Sequence, residues 1–301
     1  MGAGVTTVRD LGAPDGIALM LADEVLSGQL AAHDRRGRTA ALRGRGHGHT
    51  FMSVEVAGPD AAAAAARQQL AAGARVIKVM ATGGMMTPGQ VAGQQQLGVE
   101  EMLAVVTVAR AAGIPVAAHS EGIEGTLAAI EAGVSSIEHG HGLDVVAVGR
   151  MRAGGIALVP TLLSDAAILR HGTAAGIPDF VVAACERLAA SLLPGVRAAI
   201  DAGVAIVAGN DGGAPLVDQA DMVAELELYV EQGMTPVAAL DAATAGAARL
   251  FGLPDVGRVD VGCVADLLLV EGDPVADVGA LRAPHMVIAR GVIIDGHEPA
   301  R

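Results

Sequence analysis

Aromatic residues and cysteine are scarce in this chain. Its 301 residues include no tryptophan, one tyrosine, three phenylalanines and two cysteines. Cys185 and Cys263 lie far apart and match neither a disulfide framework nor a metal-ligand spacing, so a reducing compartment is the simplest expectation. Although 52% of the residues are hydrophobic, no run approaches the ~18 consecutive apolar residues of a transmembrane helix. We therefore expect a soluble cytoplasmic protein without a signal peptide or a membrane partner.

Basic residues are also in deficit. The chain carries 20 Lys and Arg against 33 Asp and Glu, a net charge of −13. Binding to nucleic acid needs Lys and Arg clustered along a groove, so this charge balance argues against a nucleic-acid partner. The densest basic stretch, Arg35–Arg45, is predicted to be a solvated loop. What the chain has in abundance is small residues, with 41 glycines, which suits a core of tightly packed strands and helices.

A short unit recurs along the chain: an alanine-rich helical stretch, a glycine, a brief apolar strand and a polar residue. It occupies residues 71–84, 111–120, 131–140, 152–162 and 201–213. The glycine of each unit fits the residue after a helix, where a left-handed conformation ends the helix; these glycines are Gly73, Gly113, Gly133, Gly154 and Gly203. The strands are continuous apolar runs, as in parallel strands buried on both faces.

Helical stretches separate these strands, at about residues 60–72, 99–112, 122–132 and 185–202. Alternation of strand and helix predicts βαβ units and a parallel sheet, either open or closed into a barrel. A barrel gathers side chains from many strand ends onto one face, whereas an open sheet concentrates them at one switch point. Polar residues at or near the C-terminal ends of five different strands favour the barrel: Lys78, His119, Thr161, His139 and Asp211.

The character of the sequence changes near residue 255. Thr235-Pro236 begins a helix with a good cap, predicted to run to about Leu250. Beyond it, short apolar segments alternate with Gly and Asp turns, which is typical of β-hairpins. We predict a barrel domain over residues 1–254 and a small β segment over residues 255–301.

Two histidines, an aspartate and a lysine on one barrel face suit a divalent metal ion with nitrogen and oxygen ligands. A buried Lys78 near positive charge would have a lowered pKa and act as a nucleophile, and reaction with CO2 would convert it into an anionic carbamate. Taken singly, each residue has a structural explanation: a hydrogen-bonded histidine, a lysine reaching solvent, or an aspartate in a turn. Their occurrence at the same position of successive units favours the metal site.

These strand ends resemble those of the amidohydrolase superfamily. VIKVMATGG, VAAHS, SIEHG and VAGNDGG are similar to its lysine, histidine, histidine and aspartate motifs, and TPVAALDAATAGAARLFGL with GRVDVGCVADLLLVEGDP resembles its last barrel helix and the return into a β-sandwich. The branch is imidazolonepropionase-like or Xaa-Pro dipeptidase (prolidase)-like. The resemblance implies a (β/α)8 TIM-like barrel with a small C-terminal β-sandwich segment. It also implies hydrolysis of C–N bonds in small amides, cyclic amides or dipeptides through a metal-activated hydroxide.

The same resemblance implies roles for individual residues. Carbamylated Lys78, His119 and His139 would bind the second of one or two divalent ions, most simply zinc, and Asp211 would be both a ligand and the general acid/base. The family's first strand carries a His-x-His pair ahead of the segment that resembles GVTTVRDLG, and here that segment starts at residue 4. We therefore expect the barrel to lack its first strand here, and an N-terminal segment of roughly 50–70 further residues in the complete protein.

Two other His-Gly-His triplets are present, at His47/His49 and His139/His141. The first follows a Gly- and Arg-rich stretch and resembles the family's loop over the substrate, so His47 is predicted to contact substrate. His141 is predicted to be a loop residue beyond a strand end. Two alternatives to the hydrolase stay open: a truncated or degenerate barrel that binds a metal or ligand without catalysis, and a metal-free enzyme with Schiff-base chemistry at Lys78. A homo-oligomer is compatible with either.

Overall fold

The protein is built around a six-stranded parallel sheet. The structure, a computed structural model, describes residues 2–13, 17–26, 41–44 and 52–296. The strands lie in the order β2-β1-β3-β4-β5-β6, and all five pairings are parallel. Their bounds are Ala41–Gly44 (β1), Ser53–Val56 (β2), Ile77–Met80 (β3), Val116–Ser120 (β4), Ser136–His139 (β5) and Ala157–Val159 (β6).

Helices connect the strands and follow them along the chain. Their bounds are Ile17–Leu26 (α1), Pro59–Ala71 (α2), Val99–Ala111 (α3), Ile123–Ala132 (α4), Val145–Gly154 (α5), Leu162–His171 (α6), Asp179–Asp201 (α7), Met222–Glu231 (α8), Pro236–Ala243 (α9) and Ala245–Phe251 (α10). Among the described residues, none of these helices combines the length and apolarity needed to cross a bilayer. The βαβ rhythm predicted from the sequence is confirmed.

Burial explains why the strands read as unbroken apolar runs. Every residue of β3, β4 and β6 is buried, as expected for parallel strands covered on both faces. The core around it consists mainly of alanine, valine, leucine and isoleucine. Four of the five predicted helix-terminating glycines have positive φ, namely Gly73, Gly113, Gly133 and Gly203. The fifth prediction was wrong by one residue, since Gly154 ends α5 and Gly155 takes the left-handed conformation.

Two sequence predictions about the sheet need correction. Residues 201–213 do not form a full strand; Ile206 makes one parallel bridge to Leu158 and extends the sheet beyond β6. Within the stretch predicted as a solvated loop, β1 is a strand of the sheet. Its Leu42 is fully buried, and Arg43 is buried and bonded to Glu55 at 3.0 Å. The four residues of β1 include one large apolar side chain, so their sequence shows no strand pattern. Pairing with β2 and β3 decides that this segment is a strand.

The C-terminal part forms a separate antiparallel sheet of three strands. These are Leu267–Val270 (β7), Pro284–Ala289 (β8) and Val292–Gly296 (β9), with a 3-10 helix at Val278–Arg282 between β7 and β8. The helix predicted from Thr235 to Leu250 is broken at Thr244, whose φ and ψ are −128° and −102°. The Thr244 hydroxyl donates to the carbonyl of Leu240 at 2.6 Å, and such a side-chain bond competes with helix geometry.

Gly125, inside α4, allows the helix to approach the end of β3. A Cβ at this position would lie 2.5 Å from Thr82 Cγ2 and 2.6 Å from the Ala81 carbonyl oxygen. We expect Gly125→Ala to lower the free energy of unfolding by about 1–3 kcal/mol, as overpacking of a core does. Gly149→Ala in α5 is the matched control, because its Cβ would meet nothing within 4 Å and helix propensity alone should add about 0.5–1 kcal/mol. Urea unfolding measures both; equal effects would contradict this packing.

Candidate metal centre

The sheet register brings the two predicted metal-binding histidines together. In neighbouring strands Met80 pairs with His119, and Ser120 pairs with His139. Both histidines lie at the carboxyl ends of their strands, and the carboxyl ends of parallel strands share one edge of the sheet. The ring centroids are 4.7 Å apart and the ring planes are inclined at 71°. His119 and His139 therefore present ring nitrogens to one small volume at this edge.

His139 has a strained backbone and a fixed ring. Its φ is +69°, a left-handed conformation that non-glycine residues seldom adopt and that is common at functional sites. The ring Nδ1 lies 2.7 Å from the hydroxyl oxygen of Thr161, which follows β6 and also has a positive φ of 48°. This contact at Nδ1 fixes the orientation of the ring, as hydrogen bonds to metal-binding histidines do in proteins.

Lys78 lies within β3 and is 7% exposed. Burial lowers the pKa of its ammonium group, and the nearby carboxylates of Glu138 and Asp211 oppose that shift without cancelling it. A lysine with a lowered pKa spends more of its time as the neutral amine. The structure thus places Lys78 close enough to Asp211 for the two charges to interact, in surroundings that favour the neutral amine.

Asp211 follows the Ile206 bridge and has a φ of +55°. Its side chain is accessible at the surface of the site, yet protein surrounds it closely enough that loss of solvation raises the pKa of the carboxyl group. The charge of Lys78 opposes this increase, while Glu138 and Asp165 add to it. Asp211 is therefore electrostatically coupled to Lys78, but it is not among the residues whose ligand atoms cluster with His119 and His139.

A buried ion pair supports the site from the amino-terminal segment. Arg9 Nη2 lies 3.4 Å from Glu138 Oε1, and both side chains are almost fully buried. Ser136 donates a further hydrogen bond to the same carboxylate oxygen, and the guanidinium of Arg9 lies over the ring of Phe251 at 4.8 Å. Glu138 acts on the pKa values of both Lys78 and Asp211.

Sequence reasoning missed a third potential ligand, Glu121. One ligand atom each from His119, Glu121 and His139 lie within 4.8 Å of one another. His119 Nε2 is 3.7 Å from Glu121 Oε1, and burial raises the pKa of Glu121 to about 8. The signal was available, because alternate residues of an extended chain face the same way and Glu121 is two residues after His119. Two imidazoles and a carboxylate are a donor set that fits a divalent ion such as zinc.

His141 lies in a turn just beyond the end of β5, as predicted from the sequence, but its side chain is buried and paired. It is 1% exposed, and its Nε2 lies 2.8 Å from Oδ2 of Asp165 in α6. Burial opposes the charged form of His141, but the hydrogen bond and the charge of Asp165 together raise its pKa above the ordinary value. The ring is 6.4 Å from that of His139. The second His-Gly-His triplet thus joins the site to α6, while His47, the predicted substrate contact, falls outside the described residues.

Glu225 in α8 anchors the segment after β6. Its carboxylate oxygens accept hydrogen bonds from the backbone amides of Leu162 at 2.8 Å and Leu163 at 2.6 Å. Burial raises the pKa of Glu225 from an ordinary 4.5 to about 8. Between these values the folded protein keeps a proton that the unfolded chain has released, so this group makes stability fall as pH rises.

Glu225→Gln cannot ionise, so its stability relative to the wild type should improve steadily from about pH 5 to about pH 8. Urea unfolding of both proteins across this range measures the difference in their free energies of unfolding. A loss from the altered hydrogen bonds that is the same at every pH does not affect how this difference changes with pH. Glu231→Gln, exposed on the same helix, is the matched control. A difference between Glu225→Gln and wild type that does not change with pH would contradict the raised pKa.

Comparison with known proteins decides the family. The profile of the amidohydrolase family matches residues 1–297. The chain belongs to the amidohydrolase family. It is 35% identical to an ochratoxinase of Aspergillus niger over 229 residues, which are 74% of this chain and 46% of the relative. The crystal structure of a putative prolidase from Bifidobacterium longum superposes with a TM-score of 0.89 at 33% identity, covering all of this chain and 75% of the other.

A second amidohydrolase structure is a Xaa-Pro dipeptidase with methionine bound in its active site. It is 32% identical to this chain, with a TM-score of 0.85, and the match covers 98% of this chain and 76% of the other. These comparisons confirm both the TIM-barrel fold and the prolidase-like branch that the strand-end motifs indicated. The chain spans about half the length of the curated relatives that it matches.

Proposed function

We propose that this amidohydrolase is a metal-dependent hydrolase of C–N bonds in small amides, cyclic amides or dipeptides. One observation carries the proposal. His119 and His139 stand on adjacent strand ends with ring centroids 4.7 Å apart, beside a buried lysine and an aspartate that shift each other's pKa values. Buried ionisable groups are costly unless they are paired or bind a metal. The gathering of these four ionisable groups is therefore better explained by a metal site than by purely structural roles.

In this proposal His119 and His139 hold a divalent ion, most simply zinc, and Lys78 contributes a carbamate. The neutral amine of Lys78 attacks CO2, a C–N bond forms, and one proton is released to solvent. The lowered pKa of Lys78 supports this step, since only the unprotonated amine has the electron pair that the reaction needs. The barrel of residues 1–254 would carry this chemistry, with residues 255–301 as a β-sandwich segment.

A bound divalent ion supplies a water of lowered pKa and polarises the substrate carbonyl. Asp211 would accept the proton of the attacking water at a carboxylate oxygen and return it to the leaving nitrogen. Its raised pKa supports this role, because a general acid/base works best when its pKa lies near the working pH. We also propose that Asp211 approaches the ion as a ligand.

An open cavity of about 490 Å³ has the size of a small substrate, and its lining includes none of the proposed metal ligands. It lies between residues 84–98 and the first turns of α7, and Met85, Phe180 and Arg187 line it. The loop packs on the metal centre, since a Cβ on Gly93 would lie 2.7 Å from the carbonyl oxygen of Glu121. We propose that this cavity takes an apolar side chain and that Arg187 takes a carboxylate. His47 remains a proposed further substrate contact, and Cys185 and Cys263, both free thiols, support a cytoplasmic location.

The test is a hydrolysis screen of N-acyl amino acids, X-Pro dipeptides and cyclic amides, followed by mass spectrometry. We expect turnover of one class in the presence of zinc and none after chelation. A His119→Ala/His139→Ala double variant, prepared identically, controls for contaminating hydrolases. Zinc binding without turnover of any class would instead support a barrel that binds metal without catalysis.

A further inference from the structure

Glu121 is a buried carboxylate that the roles above leave unused. It follows β4 directly and is 4% exposed. The backbone of Met85 lies close enough to act on the carboxyl group as a hydrogen-bond donor, but Oε2 has no partner of ordinary hydrogen-bond geometry among the described residues. A buried polar atom without a partner is costly in proteins, so such atoms are almost always hydrogen-bonded or bound to a metal. A bound cation would satisfy Oε2.

The contact between Glu121 and His119 is not a hydrogen bond. Its 3.7 Å separation exceeds the ~2.7–3.2 Å range of such bonds. Two ligands of one zinc ion, each ~2.1 Å from the metal at an angle of about 109°, lie about 3.4 Å apart. The observed 3.7 Å is closer to this spacing of two zinc ligands than to a hydrogen-bond length. A ligand atom of His139 also lies within 4.8 Å of the ligand atoms of both residues.

We propose that Glu121 is a direct ligand of the divalent ion held by His119 and His139. This three-residue site then has an anionic oxygen ligand of its own and does not depend on a carbamate at Lys78 for one. Two imidazoles and one carboxylate select zinc-like ions over magnesium or calcium, which prefer all-oxygen sites. The proposal concerns metal binding and does not require hydrolysis to occur.

The experiment is a zinc titration of the full chain by calorimetry, in buffer stripped of CO2 so that no carbamate contributes. We expect one tight equivalent in the wild type and a loss of at least about 100-fold in affinity for Glu121→Gln, more than the ~10–100-fold seen for residues that only orient ligands. Glu124→Gln makes the same change on an exposed residue three positions away and should bind as the wild type does.

Cobalt substitution gives a readout independent of affinity. The visible spectrum of the cobalt-loaded wild type should change in position and intensity in Glu121→Gln and stay the same in Glu124→Gln. Circular dichroism checks that the metal-free variants are folded, and Glu121→Ala serves as a second variant if the glutamine form is not. Zinc affinity and a cobalt spectrum that are unchanged in the folded Glu121 variants would overturn the assignment, whether or not hydrolysis is detected.

Discussion

Asp211→Asn is expected to lower kcat by a factor of about 10²–10⁴, the contribution typical of a general acid/base. Asparagine keeps the size of the side chain but cannot take up or return a proton. The two histidines and Glu121 are untouched, so the protein should still bind zinc at their site. Initial rates on the substrate found in the screen, measured beside zinc content, separate these effects.

Asp221→Asn is the matched control for Asp211→Asn. Asp221 is exposed, and its side chain makes no capping hydrogen bond to α8, so its replacement should leave kcat within about twofold, as surface changes do. A retained kcat in Asp211→Asn would show that proton transfer depends on another group. Asp165 and its partner His141 would then be the next residues to replace.

His139→Ala is expected to have the largest effect on the metal centre. The variant loses one of three clustered ligands, so zinc affinity should fall at least about 100-fold and turnover at ordinary zinc concentrations should disappear. Wild-type protein should also melt at a higher temperature with zinc than without it, because an ion that binds the folded state alone stabilises that state. His139→Ala should lose most of this zinc-dependent shift.

His171→Ala provides the control for a lost imidazole. His171 is exposed at the end of α6, away from the site, and its replacement should preserve both zinc affinity and the zinc-dependent melting shift. Thr161→Val removes the hydroxyl that lies 2.7 Å from His139 Nδ1 and orients its ring. We expect it to lower zinc affinity less than His139→Ala does, by about 10–100-fold. A His139→Ala protein with wild-type zinc affinity would refute the metal centre as described.

The sequence allowed the strand ends to be predicted because local rules act there. Apolar runs define buried parallel strands, glycines end the helices, and the polar residue after each run must then lie at one edge of the sheet. This reasoning located His119 and His139 at the carboxyl ends of β4 and β5, whereas Lys78 lies inside β3 as its second residue. Glu121 followed from the same alternation and was overlooked because it lies one residue beyond the apolar run.

Other features depend on contacts between distant parts of the chain. The pairing of His141 with Asp165 joins residues 24 positions apart, and no local pattern marks either one. Similarly, β1 has one large apolar side chain, and its membership of the sheet is decided by its neighbours on both sides. The break between α9 and α10 falls at Thr244, whose hydroxyl bonds to the carbonyl of Leu240, and composition alone does not predict which threonine bonds in this way.

The most direct test of the account is a zinc titration of the metal-free chain in which hydrolysis and bound zinc are measured on the same samples. We predict no turnover without metal, a rate that rises in proportion to bound zinc, and a plateau at one or two equivalents per chain. Turnover by metal-free protein, or a chain saturated with zinc that cleaves none of the amides, cyclic amides or dipeptides, would contradict it.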